Sequence, residues 1–327
     1  MRCHALQINQ DTDLPPAGFP IMTITRRRRI WIAAILLAVF SVTIPPCLSA
    51  EGSVHIAVAS NFAPTLRSLM TSFRLQSPYG FKISTASTGK LFAQIRHGAP
   101  FDIFLSADAE RPKRLIAKGD AIAESLFTYA IGRLALWQPA GAQIAKDSEI
   151  LGVTITRLAV ANPKTAPYGK AAEETLRALG LWQTWRARLV RGENIGQTYQ
   201  FVASGAVDAG LVALSQILAR NKPVSASRQD WSGLGPGARA DSPRNIFPIH
   251  PFPVDRGSTK DNQGQPKSQI RIVPSSLHAP LRQQAVLLRR GADNAGARGF
   301  MEFLRSREAR EIIRAEGYGL PDELPGS

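Results

Sequence analysis

The chain has 327 residues, with 40 lysines and arginines against 25 aspartates and glutamates, which gives a formal net charge of +15. With 44% apolar and 20% charged residues, the composition excludes a mainly disordered chain and a polytopic membrane protein. The length predicts two domains, and the presence of only two cysteines excludes a disulfide scaffold and a cysteine-rich metal cage.

The first fifty residues predict a secretory signal peptide. Four arginines at positions 26–29 precede the apolar run Ile30–Val42, and two prolines and the small-residue segment Cys47–Ala50 follow it. The apolar run is shorter than the roughly 18–20 residues that a helix needs to span a bilayer. A basic region, a short apolar region and small residues form, in that order, a signal peptide. We expect cleavage after residue 50 and take Met22 as an alternative start; an uncleaved or lipid-linked anchor is the other interpretation.

The net charge and the positions of the cysteines limit the classes of partner and of site that the protein can have. A net positive charge favours nucleic acids, anionic surfaces or anionic small molecules as partners. The basic residues are scattered rather than clustered, and export argues against nucleic acid. Both cysteines, Cys3 and Cys47, precede the predicted cleavage site, so the mature chain has no thiol nucleophile and no thiolate metal site.

From residue 54 onward, short β-branched strands alternate with amphipathic helices. The predicted strands are Val54–Ala59, Phe81–Thr85, Asp102–Ser106, Arg157–Ala161, one reached through Ala206–Val212, and Ala285–Leu288. The predicted helices begin at Pro64, at Lys90 and after Asp108, and then span Lys170–Leu179, Gln197–Ser204 and Ala295–Ala315. This alternation predicts an α/β fold with mainly parallel sheets and flanking helices. Residues 225–269 are rich in Gly, Pro and Ser without a sustained period and predict a long loop or insertion.

Three strand-to-helix turns carry small polar residues: Ser60-Asn61, Ser87-Thr88-Gly89 and Pro167-Tyr168-Gly169. In an open α/β sheet such turns lie at the carboxyl ends of the strands, where ligands bind. The following helix N-termini offer free N–H groups and a partial positive charge to an anion. Any one such turn is more often an ordinary helix cap. Together the three turns predict an exported α/β protein that binds an anion.

Several motifs resemble the periplasmic molybdate-binding proteins of ABC importers. The motifs are Ala59–Phe62, Ala86–Ile95, Gly98–Asp108, Asn162–Gly169 and the ending Phe303–Gly319. The resemblance runs from about Val54 to Leu320, apart from residues 225–269. It implies a two-lobed type II periplasmic binding-protein fold with a hinge. Lobe I would comprise residues 51–133 plus 289–327, and lobe II residues 134–288.

The same resemblance implies the ligand and the partner. The ligand would be molybdate or tungstate, bound without any cofactor, and the partner would be the permease of an ABC transporter in the inner membrane. The protein would be a periplasmic monomer without enzymatic activity. It would bind no nucleic acid.

The site residues implied by the resemblance are Ser60, Asn61, Ser87 or Thr88, Tyr168 and Ile195. The first and second hydroxyl ligands fall on Ser60 and on either Ser87 or Thr88, and Tyr168 and Ile195 would donate backbone N–H groups. The commoner branch of the family has a tyrosine hydroxyl ligand where this sequence has Ala213. This departure implies that Tyr168 and Asn61 substitute for that ligand.

Other functions remain as alternatives. One is a binding protein for sulfate or another tetrahedral oxyanion, and another is a basic protein that binds polyanions through its surface. A secreted hydrolase with Ser60 or Ser87 as nucleophile is disfavoured, because neither serine stands in a Gly-x-Ser-x-Gly elbow and no histidine stands in a motif near it. Asp102 and Asp108 are interpreted as strand-end and cap residues rather than a catalytic pair.

Overall fold

The computed structural model describes residues 52–139, 155–220 and 268–323. The predicted signal peptide lies outside the described residues, and so does the predicted insertion 225–269 apart from its last two residues. Within the described ranges, no helix has the length and apolar character needed to cross a membrane.

The first sheet contains both early strands and one late strand of the chain. Its members are β1 (Ser53–Ala59), β2 (Gly80–Ala86), β3 (Ile103–Ser106), β4 (Phe127–Gly132) and β10 (Leu281–Leu287). They lie in the order β2-β1-β3-β10-β4. Strand β1 is parallel to β2 and β3, whereas β10 is antiparallel to both β3 and β4. Among these described strands, β10 therefore runs against the other four.

The second sheet repeats this plan. Its members are β5 (Leu134–Gln138), β6 (Leu158–Ala161), β7 (Leu189–Gly192), β8 (Ala209–Ala213) and β9 (Gln269–Ile272). They lie in the order β7-β6-β8-β5-β9. Strand β6 is parallel to β7 and β8, and β5 is antiparallel to β8 and β9. Both sheets are thus mixed, and in the part of the chain that the structure describes each has a single strand of opposite direction.

Helices flank both sheets. Those that belong with the first sheet are α1 (Ala63–Arg74), α2 (Thr88–Arg96), α3 (Glu110–Ala117), α8 (Ala295–Phe303) and α9 (Arg307–Ala315). Those that belong with the second are α4 (Pro167–Ala178), α5 (Trp182–Trp185), α6 (Ile195–Ala203) and α7 (Leu214–Arg220). We call the first sheet with its helices lobe I and the second sheet with its helices lobe II. The α/β architecture predicted from the sequence is confirmed.

The first sheet is buried on both faces, which explains the continuous apolar reading of its strands. Side chains alternate between the faces of a strand. Ile56 and Val58 therefore pack in a cluster with Phe300 of α8, whereas Ala57 between them packs on the opposite face with Leu115 of α3. All five side chains are fully buried. Because both faces of β1 are packed against helices, the register of this strand is fixed, and so is the position of the residues that follow it.

Several helix boundaries differ from the sequence prediction by one to three residues, and one predicted helix is divided. Helix α4 begins at Pro167 rather than Lys170. The N–H groups in the first turn of a helix have no partner within the helix, so proline, which has no N–H, loses nothing at that position. The long helix predicted over 295–315 is two helices, α8 and α9. Ser306 separates them, and its side chain accepts a hydrogen bond from the Ala309 N–H at 3.2 Å as the cap of α9.

The chain passes from lobe I to lobe II between Gly132 and Leu134 and returns between β9 and β10. The return thus precedes Leu281, and the boundary predicted after residue 288 is too late. Strand β10 pairs with β3 and β4 of lobe I over its whole length. The first half of β10, Leu281–Gln284, is mainly polar, so the apolar pattern of the sequence predicts only the last residues of this strand.

Candidate functional site

A small cleft lies where the parallel strands of both lobes end. It contains about 180 Å³ of atom-free space. Its lining includes all the residues that the sequence predicts for the site: Ser60, Asn61, Ser87, Thr88, Tyr168 and Ile195. The other described lining residues are alanines and one proline, so none of these lining side chains carries a formal charge. The cleft is an uncharged polar site built from both lobes.

The hydroxyl oxygens of the serines and the threonine in the cleft each accept a hydrogen bond from a backbone N–H. Ser60 Oγ accepts from the Gly196 N–H at 3.2 Å, Ser87 Oγ from the Lys90 N–H at 3.4 Å and Thr88 Oγ1 from the Ala107 N–H at 3.2 Å. A hydroxyl has one proton to donate and two lone pairs. Each oxygen here is already fixed as an acceptor, and within the described ranges none of the three protons has a partner. Each of the three hydroxyls therefore keeps a proton that it can donate.

Helix N-termini supply the remaining polar groups. Thr88, Tyr168 and Ile195 lie in the first turns of α2, α4 and α6. The first N–H groups of a helix have no partner within it, and they carry the positive end of the helix dipole. Ser87 caps α2 and Asn194 caps α6 with side-chain oxygens. Three positive helix ends from two lobes thus face one cleft.

A buried hydrogen-bond network lies behind the cleft. Asn61 Nδ2 donates to Gln283 Oε1 at 2.8 Å and to the Tyr318 hydroxyl at 3.2 Å. Gln283 also contacts the Tyr129 hydroxyl at 3.1 Å and the Tyr168 hydroxyl at 3.3 Å. All five residues are nearly or completely buried. The sequence prediction missed Gln283, Tyr129 and Tyr318; the polar pair at 283–284 in front of an apolar run was the signal available for Gln283.

The tyrosines of this network stay neutral. Burial raises the pKa of Tyr129 and of Tyr168 well above the ordinary value, and the neighbouring Tyr318 hydroxyl adds to both shifts. Burial likewise raises the pKa of Tyr318, although hydrogen bonds from Ser215 and Asn61 oppose the shift. The Ser215 hydroxyl donates to Tyr318 at 2.9 Å. The three phenols therefore act as neutral hydrogen-bonding groups.

The raised tyrosine pKa values predict a loss of stability in alkali. A group that binds its proton more tightly when folded contributes fully below its unfolded pKa, ~10 for tyrosine, and loses that contribution as the pH rises toward the folded pKa. We expect the free energy of unfolding in urea to fall above pH ~10. In Tyr129→Phe the fall should be shallower, by up to about 1.4 kcal/mol per pH unit. Equal slopes in the two proteins would contradict this prediction.

Contacts between the backbones and side chains of the two lobes surround the mouth of the cleft. The Gly89 N–H donates to the Thr165 carbonyl at 2.9 Å, and Lys90 Nζ lies 2.6 Å from Glu193 Oε2. Arg111 donates to the Lys164 carbonyl at 3.4 Å. A β-carbon on Gly89 would lie 3.0 Å from the Thr165 backbone. The two lobes are therefore in backbone contact at the rim.

The Lys90–Glu193 pair should contribute little to closure. About half of each side chain is exposed, 49% and 57%, and such ion pairs contribute ~0.2–1 kcal/mol. We expect Glu193→Gln to change the affinity for the ligand proposed below by less than about fivefold at physiological salt, measured by titration calorimetry. A loss of a hundredfold would show that the pair is essential to closure.

The surroundings of the two serines were compared with those of a catalytic nucleophile over the described ranges. Neither Ser60 nor Ser87 hydrogen-bonds to a histidine within the described residues. His55 contacts Ser84 at 3.2 Å, but Asp102 accepts from the His55 backbone N–H, at 2.7 Å, rather than from its ring. Asp108 accepts from the Arg111 N–H at 3.0 Å, as expected of a cap. The part of the chain that the structure describes holds no His, Cys, Asp and Glu cluster suited to a metal ion.

Comparisons with known proteins agree with this fold. The chain is 33% identical to the molybdate-binding protein ModA of Rhodobacter capsulatus over 88% of its own length and 94% of that protein. It is 34% identical to ModA of Azotobacter vinelandii over 84% and 92% of the two chains. The solved periplasmic molybdate-binding protein of A. vinelandii superposes with a TM-score of 0.64 at 32% identity, covering 82% of this chain and 99% of that one.

The family model for bacterial extracellular solute-binding proteins matches residues 54–319. This range contains nearly all of both sheets and every residue that lines the cleft. The chain therefore belongs to the family of bacterial extracellular solute-binding proteins.

Proposed function

We propose that the protein captures molybdate or tungstate outside the cytoplasm and delivers it to the permease of an ABC importer. The observation that carries this proposal is the cleft itself: uncharged hydroxyl groups and backbone N–H groups from both lobes converge there, and the described lining contains no charged side chain. The molybdate-binding relatives at 33–34% identity support the choice of ligand.

The donor chemistry fits a dehydrated tetrahedral dianion. A buried charge is very costly unless hydrogen bonds replace those of water. In this proposal Ser60, Ser87 and Thr88 donate hydroxyl protons to the oxyanion. Tyr168 and Ile195 donate backbone N–H groups, and Asn61 donates from its side chain. This set consists of uncharged donors, so it holds the anion without a salt bridge and keeps release feasible.

The same donor set selects among anions. A proton on the ligand would face a donor rather than an acceptor, which disfavours oxyanions that remain protonated. Sulfate presents the same chemistry as molybdate but is smaller. Donors fixed at the ends of three helices cannot all move inward to a smaller anion, because the helices are packed against their sheets. Size therefore distinguishes molybdate from sulfate in this site.

The proposal includes the cellular setting. Residues 1–50 would direct export and be removed, which places the mature protein in the periplasm. It would act as a monomeric binding protein rather than an enzyme. Ligand binding would stabilise the closed arrangement of lobes I and II, because both lobes contribute donors. The permease would recognise that closed form.

Thermal unfolding and calorimetry with four oxyanions test the proposal. Molybdate and tungstate at a thousand times their dissociation constants should stabilise the protein by ~4 kcal/mol, and equal sulfate or phosphate should have little effect. The double variant Ser60→Ala/Thr88→Ala should lose most of this stabilisation. The matched variant Thr71→Ala/Ser204→Ala removes two exposed hydroxyls that do not belong to the cleft lining and should retain it. Equal responses to molybdate and sulfate would instead indicate a general oxyanion receptor.

A further inference from the structure

Two buried polar groups next to the cleft lack a partner within the described ranges. Both N–H groups of the Asn61 amide are used, on Gln283 and Tyr318. Asn61 Oδ1 is buried and has no hydrogen-bond partner there. The Tyr168 hydroxyl accepts from Gln283 Nε2, and among the described residues its own proton has no acceptor. An unpaired buried group costs ~1–3 kcal/mol, so this arrangement is unfavourable at two places.

Rotation of two amides, together with a hydrogen-bond acceptor in the cleft, removes both defects. The oxygen and the nitrogen of a side-chain amide occupy nearly the same volume, so each end can face a given neighbour. If Gln283 turns by 180°, its oxygen accepts the Tyr168 proton and its nitrogen faces Asn61 and Tyr129. Tyr129 can accept this N–H, because its own proton has an alternative acceptor in the Ser106 carbonyl at 3.2 Å.

The rotation of Gln283 requires the rotation of Asn61. Two N–H groups would otherwise face each other across the 2.8 Å contact. When Asn61 also turns, its oxygen accepts from Gln283. It also accepts the Tyr318 proton, which then turns away from the Asn61 backbone carbonyl, its acceptor at 3.0 Å in this structure. Its nitrogen then occupies the place of the unpaired oxygen. The rotated network now requires an acceptor for this N–H, and an oxyanion in the cleft that Asn61 lines provides one.

We propose that Gln283 is a positioning residue that sets the Asn61 amide as a donor to the bound oxyanion, through a coupled rotation of the two amides on binding. This inference rests on the proposed function, because the anion supplies the acceptor that completes the rotated network. It assigns a role in the ligand site to a residue of β10 that does not line the cleft.

Side-chain amide NMR on the full mature chain tests the rotation directly. The Asn61 amide resonances are identified by their loss in Asn61→Ala. On addition of molybdate they should shift strongly and their protons should exchange more slowly with water. The side chain of Asn294, which contacts Ser53 and Asp102 in lobe I, should not respond and serves as the internal control.

A double-mutant cycle measured by calorimetry tests the role of Gln283. Gln283→Met keeps the length of the side chain but removes both hydrogen-bonding ends, and it should weaken molybdate binding by about tenfold. In an Asn61→Ala background the same change should have little further effect. Gln284→Met is the matched control, since Gln284 contacts Thr128 instead of the network, and it should leave the affinity unchanged.

The outcomes separate the inference from the proposed function. If the wild-type chain fails to bind molybdate, both are overturned. If it binds but the Asn61 amide resonances move no more than those of Asn294, or if the effects of Gln283→Met and Asn61→Ala simply add, only the inference is overturned. Should Gln283→Met fail to fold, the NMR measurement on the wild-type chain decides alone.

Discussion

The substitution Asn61→Asp should abolish molybdate binding while leaving the fold intact. The two side chains have nearly the same shape, but the carboxylate only accepts hydrogen bonds and adds a negative charge to a cleft whose described lining holds no cation. Two unit charges about 4 Å apart repel by ~4 kcal/mol at an effective dielectric constant of ~20. A dianion beside the new carboxylate would be repelled at least as strongly. We expect an affinity loss of at least about a thousandfold in calorimetry at pH ~8.

The control for this experiment makes the same chemical change elsewhere. The Asn162 side chain accepts from the Lys164 N–H at 3.0 Å and does not line the cleft. Asn162→Asp keeps that acceptor and adds the same charge to lobe II, so it should change the affinity by less than about tenfold. If both variants bind molybdate equally well, Asn61 does not face the ligand and the proposed ligand set is wrong.

The substitution Gly169→Ala should have the largest effect on stability. A β-carbon there would lie 2.3 Å from the Ala161 carbonyl oxygen and 2.8 Å from the Asn162 carbonyl carbon. Both are backbone atoms at the end of β6, so the clash is relieved only if α4 moves away from the sheet. Overpacking of this kind costs ~1–3 kcal/mol. Because Tyr168 precedes Gly169, the movement also displaces a donor of the cleft, and we expect at least a tenfold loss of molybdate affinity.

Gly299→Ala provides the comparison for Gly169→Ala. A β-carbon at Gly299 would meet Phe73 at an ordinary contact distance of 3.7 Å. Alanine is also the better helix former by ~1 kcal/mol. Thermal unfolding should therefore show an unchanged or higher midpoint for Gly299→Ala and a lower one for Gly169→Ala. Equal midpoints would mean that α4 is not held against β6 as closely as described.

The sequence predicts the elements whose patterns are local. Strand β1 is apolar and β-branched, and the helix after it begins with a proline in its first turn, so both are visible without any knowledge of the fold. The three strand-to-helix turns are visible for the same reason, because small polar residues between a strand and a helix mark the carboxyl end of a parallel sheet; Ile195 was implied by the family resemblance alone. All the predicted site residues line one cleft in the structure.

The remaining parts depend on contacts between distant segments. Strand β10 pairs with β3 and β4, far away in the chain, and nothing local in Leu281–Gln284 marks it as a strand. The polar side chain of Gln283 is satisfied by residues about 115–222 positions away. Single-sequence patterns contain no information on such pairings. For that reason the place of β10 in the first sheet and the network behind the cleft are not predicted.

The link between the lobes has a mechanical consequence for transport. Gly132 ends the last strand before the chain crosses to lobe II, and it pairs with Leu281, where the chain has just crossed back. A β-carbon on Gly132 would lie 2.3 Å from the Tyr168 hydroxyl and 2.9 Å from Gln283 Nε2. The link between the lobes at Gly132 therefore lies next to the Gln283 amide of the buried network. A movement of the two lobes about this link would therefore displace residues next to the Gln283 side chain, which in our proposal responds to the bound oxyanion.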